Sequence, residues 1–120
     1  MSVRAIRGAI TVDENNKFEI INDTKILLNE IVKKNNVDTE DLISVVLSVT
    51  RDLDAAFPAA AAREIGWTHV GLMCMNEMYV PGSIEKCIRV IVHINTDKKN
   101  DDIKYVYLKG AKILRPDLLA

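Results

Sequence analysis

Four arginines of this chain lie in or beside apolar segments: Arg7 in AIRGAI, Arg63 in AAAREI, Arg89 in CIRVIV and Arg115 in ILRPDL. Lysines, by contrast, fall mostly on helix faces and in turns. The arginine fork binds a carboxylate or phosphate bidentately and does not deprotonate. Arg7 and Arg89 are the sharper pair, because each sits in the middle of a β-rich run. A guanidinium there is costly unless something anionic meets it. In KCIRVIVHI, Ile88, Val90, Val92 and Ile94 alternate onto one aliphatic face, leaving Cys87, Arg89, Ile91 and His93 on the other. Glu77, in CMNEMYV, is an acid among methionines and a tyrosine, and Tyr107, in KYVYLK, offers a hydroxyl. Cations, one acid and a hydroxyl suit the binding of a small polyanion. They also suit a reaction that needs only positioning and electrostatics. Plainer readings exist for each: an arginine paired with one of the seventeen acids, a loop carboxylate in water, a half-buried strand tyrosine.

Other chemistry is poorly supported. Cys74 with His69 or His93 lacks a third, orienting group for a nucleophilic pair. Asp52 and Asp54 in RDLDAAF stand without a His or acid cluster that would make them metal ligands. They are expected to shape the turn and cap the helix that follows. No glycine-rich phosphate loop and no GxSxG elbow is present. No metal or cofactor is expected.

The elements that must position these residues follow from patterning. The β-rich run Val3 to Val12 reads as a strand with a bulge at Gly8, broken by Asn15 and Asn16. Lys17 to Asn36 reads as an amphipathic helix with Phe18, Ile21, Leu28, Ile31 and Val32 on its apolar side and Lys33 and Lys34 in the last turn. LISVVLSVT, residues 42 to 50, is too continuously apolar for a one-sided strand and reads as a central one. Pro58 opens a short alanine-rich helix that ends at Gly66. Val70 to Met75 and Cys87 to Thr96 are strands, Asp101 and Asp102 could start a short helix, and Ile103 to Leu114 holds at least one more strand before Pro116. The order β-α-β-α-β-β-β, without repeat or linker, gives an α+β fold in one domain, residues 1–120, with a mixed sheet of about five strands and two helices on one face. The other face must be covered, and so short a chain has little left to do it. Partner subunits are the expected cover.

Composition agrees with a globular domain. The 120 residues are 48% hydrophobic and carry a net charge of −1. With a pI near 6.1 and no basic run longer than Lys-Lys, neither nucleic acid nor an acidic membrane is an expected partner. No apolar run approaches the ~20 residues of a membrane span, and MSVRAIRGAI does not read as a signal peptide. Cys74 and Cys87 are too few for a disulfide scaffold or zinc site and fit a cytoplasmic location.

RAIRGAITV, LSVTRDLDAAFPAAAAREIGW, CMNEMYVPGSIEKCIRV and YVYLKGAKILRPDL, in this order over nearly the whole chain, resemble the monofunctional chorismate mutases of the AroH type. The resemblance implies an isomerase of aromatic amino acid biosynthesis that turns chorismate into prephenate without a cofactor. It also implies a homotrimer whose sheets pack into a pseudo-α/β barrel, with active sites between adjacent subunits. By position, Arg89 then meets the ether oxygen, Arg7 and Tyr107 a carboxylate, and Glu77, beside Cys74, the ring hydroxyl. Phe57, Ala59 and Arg63 match a wall supplied by the neighbouring subunit; Leu72 and Met73 line the cleft, and Leu114 and Arg115 close over it. Ala60 stands where a family member has a lysine, Met73 where it has a threonine, and the tail to Ala120 is short. A non-catalytic trimer that senses an anionic metabolite is the alternative. It would need the cations but not Glu77.

Overall fold

Alternation and capping build most of the chain. In the computed structural model, which describes residues 1–115, strand β1 spans Ser2–Thr11 and helix α1 Lys17–Asn35. Asn16 caps α1, its side chain accepting from Glu19 N at 2.8 Å, and Asn36 ends it in the left-handed region at φ 50°. Strands β2 (Leu42–Val49), β3 (Gly71–Asn76), β4 (Cys87–Thr96) and β5 (Val106–Leu108) complete one sheet, and α2 is Ala59–Glu64. The sheet order is β3-β2-β4-β1-β5. β4 runs antiparallel to both β1 and β2, whereas β2–β3 and β1–β5 are parallel. This is the expected mixed five-stranded sheet.

One face is the core. Ile6 and Ile10 of β1, Val45 and Leu47 of β2, and Ile88, Val90, Val92 and Ile94 of β4 pack against Ile20, Leu27, Leu28 and Ile31 of α1 and Ala59 and Ala62 of α2. Both helices therefore lie on that face, as expected. Among the described residues, the opposite face is covered only at a corner. There a 3-10 segment, Lys109–Leu114, packs Ala111 with Ala9, Cys87 and Tyr107. Among the described residues, nothing else of this chain shields the stretch from Arg89 to His93, whose alternate residues are half-exposed.

Three expectations need correcting. Phe18 does not join the apolar side of α1 but is 75% exposed, because at ~3.6 residues per turn it lies on the opposite side of the helix from the buried Ile20, Leu27 and Ile31. Gly8 is not at a bulge: it pairs in register with Val90, and the irregularity lies in β2 between Leu42 and Ser44. What Gly8 provides is closeness. A Cβ there would sit 2.7 Å from the carbonyl oxygen of Val106 and 3.1 Å from Ile31 Cδ1. Asp54 does not cap α2, whose N-cap is Pro58 without a side-chain bond; it accepts instead from Asn15 Nδ2 at 2.7 Å. The strand expected within residues 103 to 114 is present, though short. β5 is three residues long, and the rest winds into the 3-10 segment. The tail after Arg115, expected to leave little to act as a lid, lies outside the described residues.

Candidate active site

Strand register assembles the chemistry on the open face. Across the sheet, Tyr107 pairs with Ala9, Ala9 with Arg89, Arg89 with Ser48 and Ser48 with Met75. Cross-strand partners share a face, so these five side chains form one lateral row. The adjacent row on that face is Arg7, Ile91, Val46 and Met73. Glu77 follows β3 immediately and is tied to β2 through its backbone N–H, which donates to Val49 O at 2.8 Å. Arg7, Ser48, Glu77 and Arg89 thereby line one cleft of about 340 Å³ together with Val46 and Ile91.

The central group is Arg89. Its Nε lies 3.5 Å from Glu77 Oε1, with side chains 28% and 31% exposed, well beyond the ~2.7–2.9 Å of a charge-assisted hydrogen bond. That Nε is buried and, among the described residues, has no hydrogen-bond partner. A buried N–H donor without an acceptor costs on the order of 1–3 kcal/mol, more when it is charged. The cost is explained if an acceptor arrives with a ligand. Ser48 Oγ donates to Glu77 Oε1 at 2.7 Å, so the carboxylate is anchored from β2 rather than by Arg89.

The strand end that carries Arg89 is held by a compact network. Lys86, in the left-handed region at φ 46°, donates its N–H to both carboxylate oxygens of Asp52, at 2.9 and 3.1 Å. Thr50 Oγ1 donates to Asp52 and accepts from Cys87 N at 3.0 Å. Asp52 is thus a turn-shaping acid, as expected. Beside it, burial pushes the Cys87 thiol up to about 11; the Arg89 charge opposes this, and Glu77 and Asp52 add to it. Cys87 stays a thiol, packed under Tyr107. Nothing in that environment makes it a nucleophile.

The remaining candidates divide. Phe57, Arg63 and Cys74 line a separate cleft of about 600 Å³ at the β3 edge, with Lys17, Ala60 and Asp54. Cys74 therefore does not share the cleft of Glu77. Ala59 is 5% exposed and belongs to the core; Ala60, the next residue, faces the cleft instead. Leu72 packs against the core while Met73 lies on the open face, 59% exposed. Leu114 packs on the Tyr107 cluster, and the Arg115 guanidinium stands 5.6 Å from the Tyr105 ring centre. His69 bonds Thr39 O at 2.8 Å and His93 bonds Ser44 Oγ at 3.1 Å, which leaves the Cys-His pairing without support. Among the described residues, no group of three or more His, Cys, Asp or Glu side chains could hold a metal ion. Sequence reasoning missed Ser48. Its signal was present, since in LSVT it alternates with Leu47 and Val49, but only the register to Arg89 gives it meaning.

Fold and site together define a small α+β protein whose clefts include one built around the half-buried Arg89, with its unpartnered Nε, and one at the sheet edge. Residues 3–118 match the family described as chorismate mutase type I. Chorismate mutase AroH of Bacillus subtilis (strain 168) is 47% identical over 119 residues, 98% of this chain and 94% of that protein. Chorismate mutase AroH of Thermus thermophilus is 46% identical over 117 residues, 97% and 96% of the two chains. The solved chorismate mutase from Clostridium thermocellum superposes with a TM-score of 0.91 at 59% identity, covering 92% of this chain and 98% of that one. The chain belongs to the type I chorismate mutase family. The sensor reading finds no support among these relatives.

Proposed function

We propose that this chain, residues 1–120 acting as one domain, catalyses the Claisen rearrangement of chorismate to prephenate. The buried, unpartnered Nε of Arg89 carries this reading, together with the family. In the reaction a C–O bond breaks as a C–C bond forms, and no proton is transferred. An enzyme can then act by holding the dicarboxylate in its compact conformer and by stabilising charge on the departing ether oxygen. Arg89 is the donor suited to that oxygen, because it sits mid-sheet with hydrogen-bonding capacity that the protein leaves unused. Arg7, in the same cleft, takes a carboxylate, with Tyr107 at the end of the Arg89 row. Glu77, anchored by Ser48, accepts from the ring hydroxyl. Proton transfer, metal and cofactor play no part in these roles.

The open face and the division of candidates into two clefts support a homotrimer in which Phe57, Arg63 and Cys74 of one subunit complete the Arg7–Glu77–Arg89 cleft of the next. Leu114 and Arg115 border that site. No helix of the described residues is long and apolar enough to cross a membrane, and a cytoplasmic location fits a biosynthetic enzyme. Loss of chorismate absorbance, with prephenate identified as product, tests the activity; an unchanged chorismate signal at high enzyme concentration refutes it. Mixing Arg63→Ala and Arg89→Ala chains tests the shared site. Activity should recover as subunits exchange. Exchange without recovery would show that both residues serve a site within one chain.

A further inference from the structure

Ser48 belongs to no expected site, yet it lines the Arg7–Glu77–Arg89 cleft. It is the register partner of Arg89 and donates to Glu77 Oε1 at 2.7 Å. The same Oε1 lies only 3.5 Å from Arg89 Nε, which nevertheless has no hydrogen-bond partner among the described residues. An acid and a guanidinium this close would ordinarily collapse into a straight, charge-assisted pair. Something holds the carboxylate short of that contact. The hydroxyl of Ser48 does so: it bonds Oε1 from the β2 side, and Glu77 N is pinned to Val49 O at 2.8 Å on the same strand.

We infer that Ser48 is a positioning residue that prevents Glu77 from neutralising Arg89. The inference rests on the chorismate mutase reading above and deepens it. By fixing Oε1, Ser48 leaves the second carboxylate oxygen for the substrate and keeps the Arg89 fork free for the oxygen at which charge develops. Preorganisation of this kind is what a donor needs in order to act without reorganising during the reaction. A hydroxyl is suited to the task because it donates one hydrogen bond without bringing a charge of its own. A lysine or arginine at position 48 would compete with Arg89 for the same anion. Alanine would leave Glu77 free to swing.

Two measurements test this. The crystal structure of Ser48→Ala should show Glu77 turned so that a carboxylate oxygen meets Arg89 Nε in hydrogen-bond geometry, and Ser48→Thr should keep the present arrangement. Glu77 left in place in Ser48→Ala overturns the inference. In turnover, Ser48→Ala should lose roughly 10- to 100-fold in kcat/KM, the weight of a hydrogen bond to a charged group, mainly in kcat, with threonine rescuing. In a Glu77→Ala background the same change should cost less than twofold, because its target is gone. An equal loss in both backgrounds overturns the inference, as does a loss that tracks a fall in Tm. The crystallographic arm reads positioning without reference to turnover. A wild-type protein inactive on chorismate would sink the functional reading alone.

Discussion

Asn35 and Arg89 are both polar side chains set into apolar surroundings, and the chain treats them in opposite ways. Asn35, at the end of α1, is 1% exposed and fully engaged. Its Nδ2 donates to Ile31 O and Lys104 O, both at 2.9 Å, and its Oδ1 accepts from Lys104 N at 2.7 Å. Its own carbonyl oxygen accepts from Lys98 Nζ. Arg89, among the described residues, keeps a buried Nε without a hydrogen-bond partner. A satisfied buried polar group secures the chain around it, here fastening the segment before β5 to the helix end. An unsatisfied one contributes nothing to the fold and holds donor capacity in reserve for a ligand.

The contrast breaks most visibly at Arg89. Arg89→Gln should cut turnover by at least ~10²–10³-fold, the loss typical of removing one preorganised oxyanion donor. The loss should fall in kcat, because charge on the ether oxygen appears only in the transition state. Thermal midpoints should barely change, since removing a half-buried charge need not destabilise. Lysine should rescue only in part, a point charge being no substitute for the fork. A folded variant with near-normal turnover would remove Arg89 from the reaction.

Asn35→Ala should show the reverse. It leaves the N–H and C=O of Lys104 unpaired, each costing about 1–3 kcal/mol if water cannot reach it. Denaturant unfolding should show this loss, while activity on chorismate at low temperature stays close to wild type. A variant as stable as wild type would mean that solvent takes over both groups.

Between the two lies Lys109, in the left-handed region at φ 55°, whose Nζ is 3.4 Å from both Asp13 Oδ1 and Asp23 Oδ2. Burial tends to lower its pKa, but the charges of and hydrogen bonds to Asp23 and Asp13 outweigh that and raise it above the ordinary 10.5. A raised lysine pKa contributes stability that is fully present below 10.5 and is lost as pH rises through the folded value. The side chain is 37% exposed, so Lys109→Met should cost only about 0.2–1 kcal/mol near neutrality. The gap between wild type and variant should close at alkaline pH. A gap that persists there would assign the effect to packing.

Legibility followed the range over which each signal acts. β4 was readable from alternation in KCIRVIVHI, and α1 from helical spacing and terminal lysines. Those are local facts, and the bounds of both elements were met closely. Arg7, Glu77 and Arg89 were visible because a charge in an apolar run is conspicuous without a partner in view. What could not be read is pairing. Gly8 looked like a bulge because its real neighbour, Val106 O, is supplied by β5, nearly a hundred residues on. Ser48 looked ordinary until Arg89 was placed opposite it. Ala59 and Ala60 are chemically identical in sequence, and only the phase of α2 against the sheet decides which one faces the core. The three-residue β5 was too short for its pattern to stand out from the 3-10 segment that follows.

The strand order also has a consequence for how the chain comes into being. β1 leaves the ribosome first, yet Ser2 pairs with Thr96 and Gly8 with Val90 and Val106. At ~5–20 residues per second, the first strand waits several seconds for either neighbour. During that interval both of its edges are open and Ile6 and Ile10 have no sheet to lie on. Arg4 and Arg7, interspersed among them, put charge into a segment that would otherwise be a good template for intermolecular pairing. The cation assigned to substrate binding in the finished enzyme is thus also a guard on the nascent chain, at work before any cleft exists.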